Sequence, residues 1–214
     1  MRFLVISDIH GRDRVIDWAN RIAKDLRTDG IIVLGDITRF GPPEWAGHFL
    51  ESMVVPVFAI PGNCDPPSVI EVIEKKAISL HKKRVRIGEH TFVGMGGSNP
   101  TLFSTPYELT EEEIEHSLRP LMERDVVLVT HTPPLGSNDM AFSGRHGGSA
   151  AIRKLVNEFH PKAVLSGHIH EAPGIMNERG TLFLNPGAAK DARAAILDLN
   201  EKIEARLLER LVEY

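Results

Sequence analysis

Apolar side chains run unbroken from Phe3 to Ile6, stop at Ser7, and give way to Asp8 and His10. A short run rich in branched residues predicts a strand buried on both faces. Four later segments repeat the pattern. Ile31–Leu34 leads to Gly35 and Asp36; Val57–Ile60 leads to Asn63, Cys64 and Asp65; Val126–Thr130 leads to His131; Ala163–Leu165 leads to His168 and His170. In extended backbone alternate side chains share a face, so Asp8 and His10 are expected to project together from the end of their strand. Open α/β sheets bind ligands outside the carboxyl ends of their strands, and these five ends are expected to meet in one crevice.

Between the strands the period changes. Val15, Trp18, Ile22 and Leu26 recur at helical spacing and predict a helix over about 13–28, with Arg12 and Asp13 at its start. Shorter helices are expected over 44–53 and after Pro66-Pro67, the latter turning Val69, Ile70 and Ile73 inward. Residues 82–87 and 91–95 around Gly88-Glu89 predict a hairpin. Thr110 with Glu113 reads as a capping box opening a helix that runs to about Met122, and another helix is expected over 150–159. Short strands follow at 173–177, 181–184, 193–199 and 202–210, the last two forming a hairpin whose edge is open to a second copy of the chain. Two long loops, 96–106 and 135–149, flank the strand ends and are expected to be binding loops. Parallel-type strands followed by hairpins suggest two sheets packed face to face with helices outside, in a single domain over 1–214.

Composition narrows the function classes. Of 214 residues, 42% are hydrophobic and 25% charged, ordinary values for a globular protein. A net charge of −4 gives no global pull toward nucleic acid. The basic run Lys82, Lys83, Arg84 and Arg86 reads as a solvated hairpin face. The lone Cys64 excludes an internal disulfide. No stretch reaches the ~20 apolar residues of a membrane helix, and the N-terminus reads as a strand, so a cytoplasmic protein is expected. Ten histidines favour metal or acid–base chemistry, although His48, His81, His90, His116 and His160 stand outside any motif and read as surface or satisfied side chains.

The strand-end residues Asp8, His10, Asp36, Asn63, His131, His168 and His170 are too many for one ion. They suit two divalent metals sharing a carboxylate at the ~3.5–4 Å separation of two-metal hydrolytic sites. Asp36 is the natural bridge because a carboxylate offers two oxygens. Mixed oxygen and nitrogen donors favour Mn, with Fe, Zn or Ni as alternatives, over Mg or Ca.

Asp8-Ile-His10, Gly35-Asp36, Gly62-Asn63, His131 and Gly167-His168-Ile-His170 stand in the order and spacing of the calcineurin-like metallophosphoesterases, which the chain resembles over nearly its whole length. His131-Thr-Pro-Pro134, Glu171 and Asn185-Pro-Gly187 resemble the small stand-alone branch described as Icc-related or cyclic-nucleotide-phosphodiesterase-like. The resemblance implies a four-layer αββα sandwich. One metal would be held by Asp8, His10, Asp36 and His170, the other by Asp36, Asn63, His131 and His168. A hydroxide bridging the metals would attack phosphorus, with Asp36 and Asn63 at the reaction centre. The family usually carries His after the Asn, where it assists the leaving oxygen; Cys64 stands there instead. His146 is the candidate substitute, and Arg12, Arg145 and Asn63 are candidate phosphate contacts, with Arg39 also near the site.

The leading expectation is hydrolysis of small phosphodiesters. Phosphomonoester or nucleotide pyrophosphate hydrolysis is the enzymatic alternative, and a non-catalytic scaffold is the rival from another class. Nuclease activity lacks an appended DNA-binding domain or basic excess.

Overall fold

The computed structural model describes residues 1–208, and the expected strand over 202–210 therefore runs partly outside the described residues. The first sheet contains β1 (Arg2–Ile6), β2 (Gly30–Val33), β3 (Val57–Ala59), β4 (Ile78–Ser79), β11 (Ala194–Leu199) and β12 (Ile203–Leu208). The second contains β5 (Lys83–Ile87), β6 (His90–Met95), β7 (Val127–Thr130), β8 (Ala163–Leu165), β9 (Gly174–Glu178) and β10 (Thr181–Asn185). Their orders are β12-β11-β1-β2-β3-β4 and β5-β6-β7-β8-β10-β9. Each has a parallel core, β1 through β4 in one and β6-β7-β8-β10 in the other, with antiparallel pairs at the margins. Both sheets are therefore mixed, as expected.

Alternation along the strands builds three apolar layers. Phe3 and Val5 face the other sheet, where they join Ile32, Leu34, Phe92, Val129 and Leu165. Leu4 and Ile6 face outward and pack with Val33 against α1 (Arg14–Asp25), α2 (Pro43–Glu51) and α3 (Ser68–Lys76) through Val15, Ile22, Phe49 and Ile73. On the far side, Val93, Leu128 and Val164 pack against α4 (Glu111–Leu118) and α5 (Ala150–Phe159). This is the helix–sheet–sheet–helix layering expected from the sequence.

Two local expectations need correction, and one strand was not foreseen. The helix opened at Thr110 ends at Leu118 rather than near Met122, and Arg119–Leu121 form a tighter turn. Pro120 has no N–H with which to continue the α-helical ladder. The capping box itself is present, with Thr110 and Glu113 bonding reciprocally. Ile70 is only half-buried, leaving Val69 and Ile73 as the inward residues of α3. The two-residue β4, pairing parallel to β3, was too short to carry a periodic signal.

Candidate metal centre

Each ligand-type residue sits just beyond a parallel strand, and hydrogen bonds between the connecting loops bring these ends together. Asp8 N–H donates to the Gly35 carbonyl (3.1 Å) and His10 N–H to the Asp36 carbonyl (2.9 Å). The expected reason for the convergence of Asp8 and His10 was extended backbone. In fact both adopt left-handed conformations, φ 57° and 50°, and the loop bonds to 35–36 aim them. Two glycines permit the close approach. A Cβ on Gly62 would run into Asp36 Oδ1, and one on Gly167 into Ser7 Oγ.

The result is two groups of donors joined at Asp36. On one side, His10 Nε2 lies 3.7 Å from Asp36 Oδ2 and 3.9 Å from Asp8 Oδ1, while His170 Nε2 donates to Asp8 Oδ1 at 3.0 Å. On the other, His131 Nε2 lies 3.4 Å from Asp36 Oδ1 and 2.8 Å from Asn63 Oδ1, and the His168 ring packs edge-to-face on His131 at 5.1 Å between centroids. Asp36 thus turns one oxygen toward each group. Donor atoms within 4.8 Å of one another occur in the sets Asp8, His10, His170; Asp8, Asp36, His131; and His10, Asp36, Cys64.

Electrostatics here favour a cation. Asp8 and Asp36 are buried, and their charge partners among the described residues are imidazoles rather than Lys or Arg. Burial opposes ionisation of Asp8, but the His170 hydrogen bond and the nearby histidines outweigh it and hold the carboxyl well below its usual range. Asp36 is likewise depressed, chiefly by His131 against its burial. Burial also opposes charging His131, yet Asp36 and Asp8 push it up to about 9. Its Nδ1 donates to the Leu34 carbonyl at 2.7 Å, which fixes the ring and directs Nε2 into the cluster. The carboxylates that retain a proton on His131 would attract a divalent ion in its place. The donor set fits that role: two carboxylates, an amide oxygen and four imidazoles at the ends of rigid strands.

Around the cluster opens a cavity of about 910 Å³ lined by His10, Asp36, Asn63 and His168 at its base. Its outer wall comes from the two long loops, including Leu102, Phe103, Arg145 and His146, with Arg12, Arg39 and Phe40 on the rim. The sequence-selected arginines therefore face the crevice as exposed side chains. Cys64 is partly buried beside the cluster; burial and then Asp36 push its thiol far up, so it stays protonated at neutral pH. Its backbone N–H donates to Asp36 Oδ1 at 2.8 Å.

Sequence reasoning assigned no role to two buried acids. Asp65 accepts bonds from the N–H groups of Ile37, Thr38 and Gly62, tying the loops after β2 and β3 together. Burial and neighbouring Asp36 push it up to about 6. Asp139 lies behind His146, 2.8 Å from its Nδ1. Asp65 adjoined the Asn63 motif and was readable from it; Asp139 sits in a loop without periodic signal.

Comparison with known proteins agrees with this geometry. A family model described as calcineurin-like phosphoesterase matches residues 1–172. The uncharacterized protein MJ1162 of Methanocaldococcus jannaschii is 36% identical over 197 residues, covering 87% of this chain and 88% of its own. A 3',5'-cyclic-nucleotide phosphodiesterase, alr5338 of Nostoc sp., is 24% identical over 150 residues, covering 67% of this chain and 56% of its own. Among solved structures, one described as a novel archaeal phosphodiesterase superposes with a TM-score of 0.59 at 20% identity, covering 97% of this chain and 99% of its own. With the family model spanning most of its length and the candidate ligand residues gathered at the strand ends, this chain belongs to the calcineurin-like phosphoesterase family.

Proposed function

We propose that residues 1–214 act as a single phosphodiesterase unit that binds two divalent metals sharing Asp36 and hydrolyses small phosphate diesters. The observation that carries this reading is the placement of Asp36, with Oδ2 toward His10 and Oδ1 toward His131. Asp8, His10, Asp36 and His170 would hold one ion, and Asp36, Asn63, His131 and His168 the other. When bound, such a pair supplies a hydroxide nucleophile near neutral pH and positive charge beside the phosphoryl oxygens.

The chain's own residues set the rest. The Leu34 carbonyl holds His131 in the tautomer that presents Nε2. Thr105 accepts from Asn63 Nδ2 at 3.0 Å, which leaves Asn63 Oδ1 facing the cluster. Arg12, Arg39 and Arg145 offer cationic contacts to the phosphate from the rim. Phe40, Leu102 and Phe103 line the same cavity, and this apolar wall suits the second organic arm that a diester has and a monoester lacks. The similarity to the Nostoc cyclic-nucleotide phosphodiesterase and to the archaeal phosphodiesterase supports the diester choice. Manganese is our expected metal and the cytoplasm our expected location; among the described residues no helix is long and apolar enough to cross a membrane.

The test compares an aryl phosphodiester with the matching monoester, using metal-stripped protein with Mn²⁺ restored. Mn-dependent turnover favouring the diester supports the proposal. Faster turnover of the monoester would place the chain among phosphomonoesterases, and no turnover with two metals bound would favour a scaffold.

A further inference from the structure

Asp139 is 2% exposed, and both of its carboxylate oxygens are engaged. Oδ1 lies 2.8 Å from His146 Nδ1, while Oδ2 accepts from Gly136 N–H at 2.9 Å and Gly148 N–H at 3.2 Å. The loop closes around the pair through Gly147 N–H donating to the Asp139 carbonyl at 2.9 Å. An ionised carboxylate only accepts, so His146 Nδ1 carries the proton and Nε2 occupies the outer edge of the ring. The His146 side chain is half-exposed and lines the cavity above the metal centre. The other imidazoles lining that cavity, His10, His168 and His170, belong to the ligand cluster.

We propose that Asp139 and His146 form a proton-delivery pair for the leaving group. The inference rests on the phosphodiesterase reading above. As the hydroxide oxygen bonds to phosphorus, the P–O bond to the leaving group breaks and its electron pair takes the Nε2 proton of the His146 imidazolium. His146 is left neutral, with Nδ1–H still on Asp139, and regains its second proton from water. His146 is the catalytic residue of the pair. Asp139 is a positioning residue that fixes the ring. A carboxylate that merely tied the loop would need only the glycine N–H groups; here it also spends an oxygen on a ring that faces the cavity.

The experiment measures turnover of two diesters by the Mn-loaded protein, one with a 4-nitrophenolate leaving group and one with an alkoxide leaving group. Phenolate leaves without a proton, whereas alkoxide needs one. His146→Gln and Asp139→Asn should keep metal content and should slow 4-nitrophenolate release far less than alkoxide release. Both should slow alkoxide release by about 100-fold or more, the usual contribution of a positioned acid. Added imidazole should partly restore alkoxide release to His146→Ala. In ¹⁵N NMR of the wild-type protein, neutral His146 should show the Nδ1–H tautomer. Equal slowing of both substrates, or no slowing of either, would overturn the pair. If wild-type protein with two metals bound releases neither leaving group, the phosphodiesterase reading fails first and the pair falls with it.

Discussion

Asp8, Asp36 and His131 are at most 2% exposed at the ends of parallel strands, whereas Leu102 and Phe103, on a loop that lines the cavity with Asp36, are 95% and 84% exposed. The first group is positioned by the cores above and below each sheet. Shifting β1, β2 or β7 would disrupt Phe3, Leu34 or Val129 as well as the candidate metal ligands. The loops of the second group answer mainly to a few polar anchors. His81 is one: its Nδ1 accepts from Gly96 N–H at 2.9 Å, and its Nε2 meets the Tyr107 hydroxyl at 3.0 Å, so a neutral imidazole holds both ends of the 96–107 loop. The protein thus divides its task. The proposed metal cradle is a by-product of the core and changes only with it, while exposed wall residues such as Leu102 and Phe103 can change with little cost to folding.

Breaking the cradle should have the largest effect. Asp36→Asn removes charge from the shared position, and because even outer partners of metal ligands cost 10–100-fold, turnover should fall by more than ~100-fold with at least one metal lost. The checks are metal content and diester turnover; unchanged values would refute the shared-ligand role.

Loosening an anchor of the wall should have an intermediate effect. Burial, with lesser help from Lys82, lowers His81 to about 4 from an unperturbed 6.5. The folded state therefore binds this proton less readily than the unfolded chain. Its contribution to stability is complete above about pH 6.5 and lost progressively as pH falls toward 4, by ~3 kcal/mol at most. Protonation removes the acceptor for Gly96 N–H, so the 96–107 backbone should lose protection from hydrogen exchange in this window before the strands do. In His81→Gln, the thermal midpoint should fall less steeply between pH 6.5 and 4 than in wild type.

The smallest effect is expected on the rim. Leu102→Ser with Phe103→Ser removes apolar surface that is already exposed, so stability should stay within ~0.5 kcal/mol. KM for a diester with an aryl or alkyl arm should rise a few-fold, while kcat for the smallest diesters stays put. A parallel loss of stability would show that the wall is part of the core after all.

The same division explains what was legible beforehand. Strands buried on both faces read as apolar runs and stop abruptly, so Asp8, Asp36, Asn63, His131, His168 and His170 stood out, and with them the layered fold. The capping box at Thr110 was equally visible because its partners are three residues apart. The convergence of Asp8 and His10 was expected for the wrong reason: the left-handed backbone there depends on Gly35 and Asp36, distant in sequence. Asp139 left no signal, since its partners Gly136, His146 and Gly148 meet only once the loop has folded.

The claim that Asp36 joins two metal sites is tested most directly by electron paramagnetic resonance of protein titrated with Mn²⁺. The account predicts two ions per chain with the spectrum of an exchange-coupled pair, and loss of the coupling in Asp36→Asn. Two uncoupled ions, or a coupled pair that survives in Asp36→Asn, would contradict it.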